Sequence, residues 1–366
     1  MIIEIDSSAV GALESSKSNT KQMVELFSDV FTSIGRGNNL FRIKKGDLLK
    51  LSKDYRLSEF HRNIAKIESN QATFRAALDD AFDFKVKIYH SDFEANLKEN
   101  DINIDVKNYS DLKQNYEISF LDKPIVVFEN LTDNKIYSKI AEWFISSVAH
   151  FRGYKVNYDA YPGGGDSTHS VCKELLEEGR IVFSLVDSDK KYPDDQVGKT
   201  AKDTIDVFKN VGFDNAVLVV GVHEVENLIP HSVLEKIARN EQKPLIDFLK
   251  AASQLCDMAP KFYDLKSSFS FNTIFEDQHS NFSGYWRPIF ENWNVDYETE
   301  FRESIDLGKK KLNGRVLNKL SSMLPHAIES FSVLEPCNCP PYVEDEWKKI
   351  GNFLLACGIS SQPIRI

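Results

Sequence analysis

Apolar and polar positions change rhythm several times along the chain, and each change predicts an element. "MIIEI" at the start reads as a short strand. "NTKQMVELFSDVFTSI" places Met23, Leu26, Phe27, Val30 and Phe31 on one helical face, with Gly35 as the stop. "FKVKIYH" (84–90) alternates as a strand, and the polar run "KENDINIDVKNYSDLKQN" reads as a boundary or long loop. From residue 124 the texture changes. "PIVVFEN" is a continuous β-branched run, hence a buried strand, and helical spacing follows to about Phe151. "GYKVNYDAY" is a second strand, "PGGGDS" a turn, and "STHSVCKELLEEG" a helix capped by Ser167 or Thr168. "RIVFSLVD" is the third strand. "GKTAKDTIDVFKNVG" is a helix closed by Gly212, and "AVLVVGV" the fourth strand. Strands that alternate with helices and are apolar throughout belong to a parallel sheet covered on both faces. After Pro230 the pattern is mostly helical.

This divides the chain into a mixed α+β region (1–120), a strand–helix region (121–240) and a helical region (241–366). The fold class expected is α/β, a parallel sheet flanked by helices. Composition agrees: 42% apolar, 27% charged and 11% aromatic residues are those of a globular protein able to build full-sized cores. No apolar run has the length of a membrane span, and the N-terminus lacks a basic n-region and a cleavage pattern, so no signal peptide is expected. Five sparse cysteines fit a reducing cytoplasm. Cys337 and Cys339 form a lone CxC that reads as a loop. The net charge of −10 excludes a basic nucleic-acid coat protein but not a nuclease, whose carboxylates gather around cations.

The chemistry sits where strands end. In an open parallel sheet, ligands bind beyond the carboxyl ends of the strands. The first strand ends in Glu129, with Asp133 four residues on. The third ends in Asp187 and Asp189, and the fourth leads into "HEVEN" with Glu224 and Glu226. Strand alternation would put Asp187 and Asp189 on one side, about 7 Å apart along the chain. Two such acids raise each other's pKa unless a cation lies between them. An all-oxygen set points to Mg²⁺ or Mn²⁺. Glu224 would point away from Glu226 and face solvent or support a ligand. His223 does not open an HExxH motif, because Asn227 stands where the second histidine would be. The glycines Gly163, Gly164 and Gly165 either cradle phosphate through backbone N–H groups or form a plain turn, and they do not match GxGxxG. Lys309 to Lys311, with Arg315 and Lys319, form either a solvated face or a phosphate-contacting rim. The aromatic residues Tyr285, Trp286, Phe290, Trp293 and Tyr297 read as core or interface rather than a base-stacking platform.

A glutamate with an aspartate four residues on ("VVFENLTDNKIY"), followed by DxD ("VFSLVDSDK"), resembles the Toprim domain shared by topoisomerases, bacterial primases, ribosomal RNA maturases and OLD nucleases. "GVHEVENLIP" looks most like the OLD-type and PARIS-effector Toprim nucleases of phage defence. "AYPGGGDS" looks like the small-residue loop after their second strand. The resemblance covers about 124–231, and it departs from the family at Asn130, where a glycine is usual. It implies two-metal phosphodiester hydrolysis, with Asp187 and Asp189 on one Mg²⁺ or Mn²⁺, Glu129 and Asp133 bridging or on a second, and Glu226 as a further ligand. Toprim families also use the first glutamate as general acid or base, which leaves Glu129 two roles. OLD-type nucleases use a lysine beyond the Toprim core. Lys266 in "FYDLKSS" is the candidate, and Lys190, beside Asp189, is the alternative on the substrate side. With no Walker A motif, the resemblance implies a nuclease subunit in the cytoplasm that acts on DNA or RNA. A separate ATPase or sensor would be its partner, self-association is left open, and no membrane is involved. The competing reading is a non-catalytic Toprim-fold regulatory or interaction subunit of a defence complex.

Overall fold

A computed structural model describes the chain apart from residues 16–19, 79–80, 83, 99–100, 115–120, 277–279, 295, 309–313, 321–335, 337–338 and 365–366. The N-terminal region holds β1 (Ile2–Ile5), α1 (Ser7–Glu14), α2 (Thr20–Arg36), β2 (Leu40–Ile43), α3 (Lys45–Leu51), α4 (Glu59–Ala76), β3 (Val86–Tyr89), β4 (Ile102–Asp105) and α5 (Tyr109–Gln114). Its strands form a parallel sheet in the order β2-β1-β3-β4. The helices lie between the strands, as a mixed region requires, and the arrangement is α/β. Met23, Leu26, Phe27, Val30 and Phe31 are all buried, as their spacing predicts. The helix runs past Gly35 to Arg36 and stops at Gly37, whose φ of 68° suits glycine. The polar run read as a boundary loop carries β4 and α5. A half-buried edge strand has too few apolar positions to announce itself.

The second sheet is built from β5 (Ile125–Phe128), β7 (Asp159–Pro162), β8 (Val182–Val186) and β9 (Val217–Val219). Between them lie α6 (Leu131–Ser147), the short β6 (Lys155–Val156), α7 (Thr168–Glu177) and α8 (Lys199–Asn210). Its four strands are parallel in the order β7-β5-β8-β9. Every residue of β5 and β8 is buried, as expected for central strands covered on both faces. "GYKVNYDAY" splits in two: β7 joins this sheet, while β6 pairs antiparallel with β10 (Ile359–Ser360) near the C-terminus. The chain steps from β5 outward to β7, then returns to the other side of β5 to form β8. The switch point therefore lies between β5 and β8, where such sheets bind ligands.

The helical region contains α9 (His231–Ile237), α10 (Lys243–Leu255), α11 (Asn281–Trp293), α12 (Tyr297–Asp306) and α13 (Pro341–Gly358). It shares one continuous apolar core with the other two regions. Trp347 of α13 is fully buried, stacks edge-on against Trp143 of α6 with centroids 5.4 Å apart, and donates its indole N–H to the Leu228 carbonyl at 2.9 Å. Its neighbour in the chain, Glu346, accepts the Gly221 N–H at 3.0 Å and pairs with Lys261 at 3.1 Å. Trp286 and Phe290 are fully buried beside Phe248 and are core, as expected; Tyr285 and Trp293 are partly buried, and the Tyr297 side chain lies outside what the structure describes. Lys309 to Lys311 and Cys337 lie outside the described residues. Among the described residues, no helix is long and apolar enough to cross a membrane.

Candidate functional site

The switch point carries the first two acids. Glu129 leaves β5 and Asp187 leaves β8, and the Asp187 backbone N–H donates to Glu129 Oε1 at 2.9 Å. The glycine loop fixes this exit. Gly163 N–H donates to the Phe128 carbonyl at 2.6 Å, and those of Gly164 and Gly165 donate to the Glu129 carbonyl at 3.0 and 3.1 Å. All three N–H groups are thus turned toward the chain's own backbone, which removes the phosphate-cradle reading. The loop serves instead to hold Glu129. Gly164 and Gly165 take φ of 76° and 62°, and a Cβ on Gly163 would sit 2.9 Å from the Phe128 carbonyl oxygen. Asp133 lies in the first turn of α6, buried, and accepts the Asn130 N–H at 3.1 Å. It caps the helix and faces the same cluster, so the two readings of that residue hold together.

The remaining acids come from the turn after β9. Asn227 shapes it: its Oδ1 accepts the Glu224 N–H at 3.0 Å, and its amide donates to the carbonyls of Pro260 and Tyr263, both at 2.8 Å. This binds the turn to the segment that carries Lys266. The Lys266 ammonium then lies 2.9 Å from Glu226, 3.5 Å from Glu224 and 3.9 Å from Asp187, and its backbone N–H donates to Glu224 Oε1 at 2.8 Å. The lysine chosen on resemblance is thus brought against the acids. Of the two readings of Glu224, solvent-facing or supporting, the supporting one holds: it is buried and binds Lys266 by side chain and main chain together. Strand alternation does not extend into a turn folded back on itself, so it could not orient Glu224.

The same limit applies to Asp189. β8 ends at Val186, and Asp189 has a left-handed φ of 55°, against Gly198. Asp187 is 6% exposed while Asp189 is exposed, so the pair does not share one strand face as alternation implied. Asp189 stays in electrostatic range of Glu129 and His223. Lys190 lies at the rim, half-buried, and its carbonyl meets the His223 ring at 3.0 Å.

Charge is the dominant property of this site. Burial pushes Glu129 up to about 7, reinforced by Asp189 and Asp133. Burial likewise raises Asp133 to about 6, Glu224 to about 8, and Asp187 well above the usual carboxylate range. Burial disfavours the Lys266 charge too, but Glu226, Glu224 and Asp187 together hold its pKa above the ordinary lysine value. One lysine cannot neutralise Glu129, Asp133, Asp187, Glu224 and Glu226. The excess is negative, concentrated and made of hard oxygens, which fits Mg²⁺ or Mn²⁺.

A pH dependence follows. Raised carboxyl pKa values mean that the folded chain binds more protons than the unfolded one. This contribution to stability is present below the ordinary carboxylate pKa and is lost as pH rises through about 6 to 8. Buried His231 and the Met1 amine, both lowered to about 4 by desolvation, work in the opposite sense. The clean readout is therefore the difference between chelated and Mg²⁺-loaded protein. The rise in melting midpoint on adding Mg²⁺ should be larger at about pH 8 than at about pH 5. A gain that is constant or shrinks over that window contradicts the charge excess.

With this geometry in view, comparison with known proteins adds nothing: no protein-family model, curated protein or solved structure matches the chain.

Proposed function

We propose that this chain is a Mg²⁺- or Mn²⁺-dependent nuclease that hydrolyses phosphodiester bonds of DNA or RNA. The observation that supports it most is the meeting of Glu129, Asp133, Asp187 and Glu226 with Lys266 at the switch point of a parallel sheet. These four carboxylates do not gather three donor atoms around one point, so they would hold two Mg²⁺ or Mn²⁺ ions, each between neighbouring acids with waters completing its shell, which would polarise a phosphate oxygen and lower the pKa of a bound water. Lys266 is the chain's own contribution to charge stabilisation. It is 37% exposed, so its ammonium reaches the acids on one side and the solvent edge on the other. From there it can meet a non-bridging phosphate oxygen as negative charge builds on it. The three glycines keep Glu129 in register with Asp187. Asn227 keeps Glu226 and Lys266 on the same side. Asp189 and Lys190 form the rim where substrate enters.

The Toprim likeness and a role as an anti-phage effector rest on the sequence motifs. They carry with them the expectation of an ATPase or sensor protein as activating partner in the cytoplasm. The test is direct: purified chain with Mn²⁺ or Mg²⁺ should nick supercoiled plasmid or cleave members of a tRNA panel, and a chelator should stop it. Cleavage that survives chelation sinks the metal-dependent reading. Absence of cleavage on every substrate, with and without a co-expressed partner, favours the non-catalytic subunit.

A further inference from the structure

Beside the carboxylate centre, His223 and Asp264, which the nuclease reading leaves idle, converge with Glu224, which holds Lys266. His223, Glu224 and Asp264 each offer one donor atom, and the three atoms lie within 4.8 Å of one another. Among the described residues no other His, Cys, Asp or Glu group meets that condition. His223 is 4% exposed. Its Nδ1 faces the Lys190 carbonyl at 3.0 Å. A carbonyl only accepts, so Nδ1 carries a proton, and in the neutral ring the lone pair is on Nε2. Nε2 faces Asp264 Oδ2 at 3.8 Å, and although burial disfavours the charge, Asp264 and Glu224 hold the ring's pKa above its ordinary value, so an ion bound here takes the place of the Nε2 proton. Two ligands on a metal at about 2.1 Å stand up to about 4.2 Å apart, so this separation suits a shared ion. A metal-bound histidine typically gives its other N–H to a carbonyl or carboxylate, which is the arrangement here. Asp264 is set in place by the Ser267 N–H, which donates to its Oδ1 at 2.5 Å.

We propose that His223, Glu224 and Asp264 form a separate site for a transition-metal ion such as Mn²⁺, Co²⁺ or Zn²⁺, which Mg²⁺ does not fill. The imidazole sets the preference, since Mg²⁺ favours oxygen ligands and keeps its waters. Glu224 stands between this site and Lys266. Asp264 lies two residues before Lys266, so an ion here ties the turn after β9 to the lysine segment. The inference does not depend on the chain being a nuclease.

Co²⁺ reports on it without any substrate. Untagged, chelator-stripped chain in excess Mg²⁺ should bind one equivalent of Co²⁺ with visible d–d bands and no thiolate charge-transfer band. The bands should disappear in His223→Gln and in Asp264→Asn and persist in Asp187→Asn. Because His223→Gln touches a buried site, Mn²⁺ bound to the unaltered chain in excess Mg²⁺ provides a second measurement, in which nitrogen hyperfine coupling should appear. The proposal is overturned by bands that survive His223→Gln, by a thiolate band, by bands lost on Asp187→Asn, or by Mn²⁺ without nitrogen coupling. Any of these assigns the ion to the carboxylate centre or to cysteine, or leaves His223 and Asp264 as an ion pair.

Discussion

Asp187→Asn is expected to lose at least about a hundredfold in metal-dependent cleavage while the metal-free protein becomes more stable. Both halves follow from one fact. Asp187 is buried beside Glu129, Asp133 and Glu226, its pKa is held far above the usual range, and the nearest cation among the described residues, Lys266, is 3.9 Å away. Asparagine keeps the shape and removes a charge that the shared Lys266 ammonium compensates only in part. At about pH 8 in chelator the gain should be on the order of 1 kcal/mol, read from urea midpoints. In Mg²⁺ the order should reverse, because the parent gains binding energy that the variant has lost. A variant that cleaves like the parent, or is less stable in chelator, rules out Asp187 as part of a metal centre. A purely structural aspartate would show neither the activity loss nor the metal-dependent reversal.

Lys266→Ala should act in the opposite direction on stability. Removing the ammonium leaves Glu224, Glu226 and Asp187 without their shared cation. Breaking one side of a fully buried ion pair costs about 3–5 kcal/mol. Lys266 is 37% exposed, which screens the interaction, so a loss of about 2 kcal/mol is expected in chelator. Mg²⁺ should restore most of it by replacing the missing positive charge, while cleavage stays low because the phosphate has lost its donor. Lys266→Arg should keep stability and recover part of the activity. A midpoint unchanged by Lys266→Ala in chelator means that the lysine does not hold the acids, and a loss that Mg²⁺ does not reverse means that its role is packing.

These two residues also show how far the sequence could be read. Asp187 was visible because a run that is apolar but for Ser184, Ile181 to Val186, ends in acid, and a buried strand that ends so calls for a use of the charge. Glu129 was visible for the same reason. Lys266 had no such signal in its own neighbourhood; it was chosen by resemblance, and only the turn at Asn227 shows why it meets Glu226. Asp189 was misplaced by extending strand alternation into a loop, and the same extension left Glu224 undecided between solvent and a supporting role. The glycines were seen as special, but whether their N–H groups faced a ligand or the backbone depended on where the Glu129 carbonyl lay. His223 and Asp264 are far apart in sequence, and neither has a motif.

The sequence alone determined the parallel strands of the second sheet, their order of appearance and the acids at their ends, because burial and alternation act over a few residues and leave their period in the composition. The tertiary structure decided which acids share a site, which one is left at the rim, and what cation faces them. Those outcomes depend on long-range hydrogen bonds: Asp187 to Glu129, Asn227 to Pro260 and Tyr263, Gly221 to Glu346. Each joins segments whose separation along the chain no local pattern records, and each is strong only because the fold has already removed water from both partners.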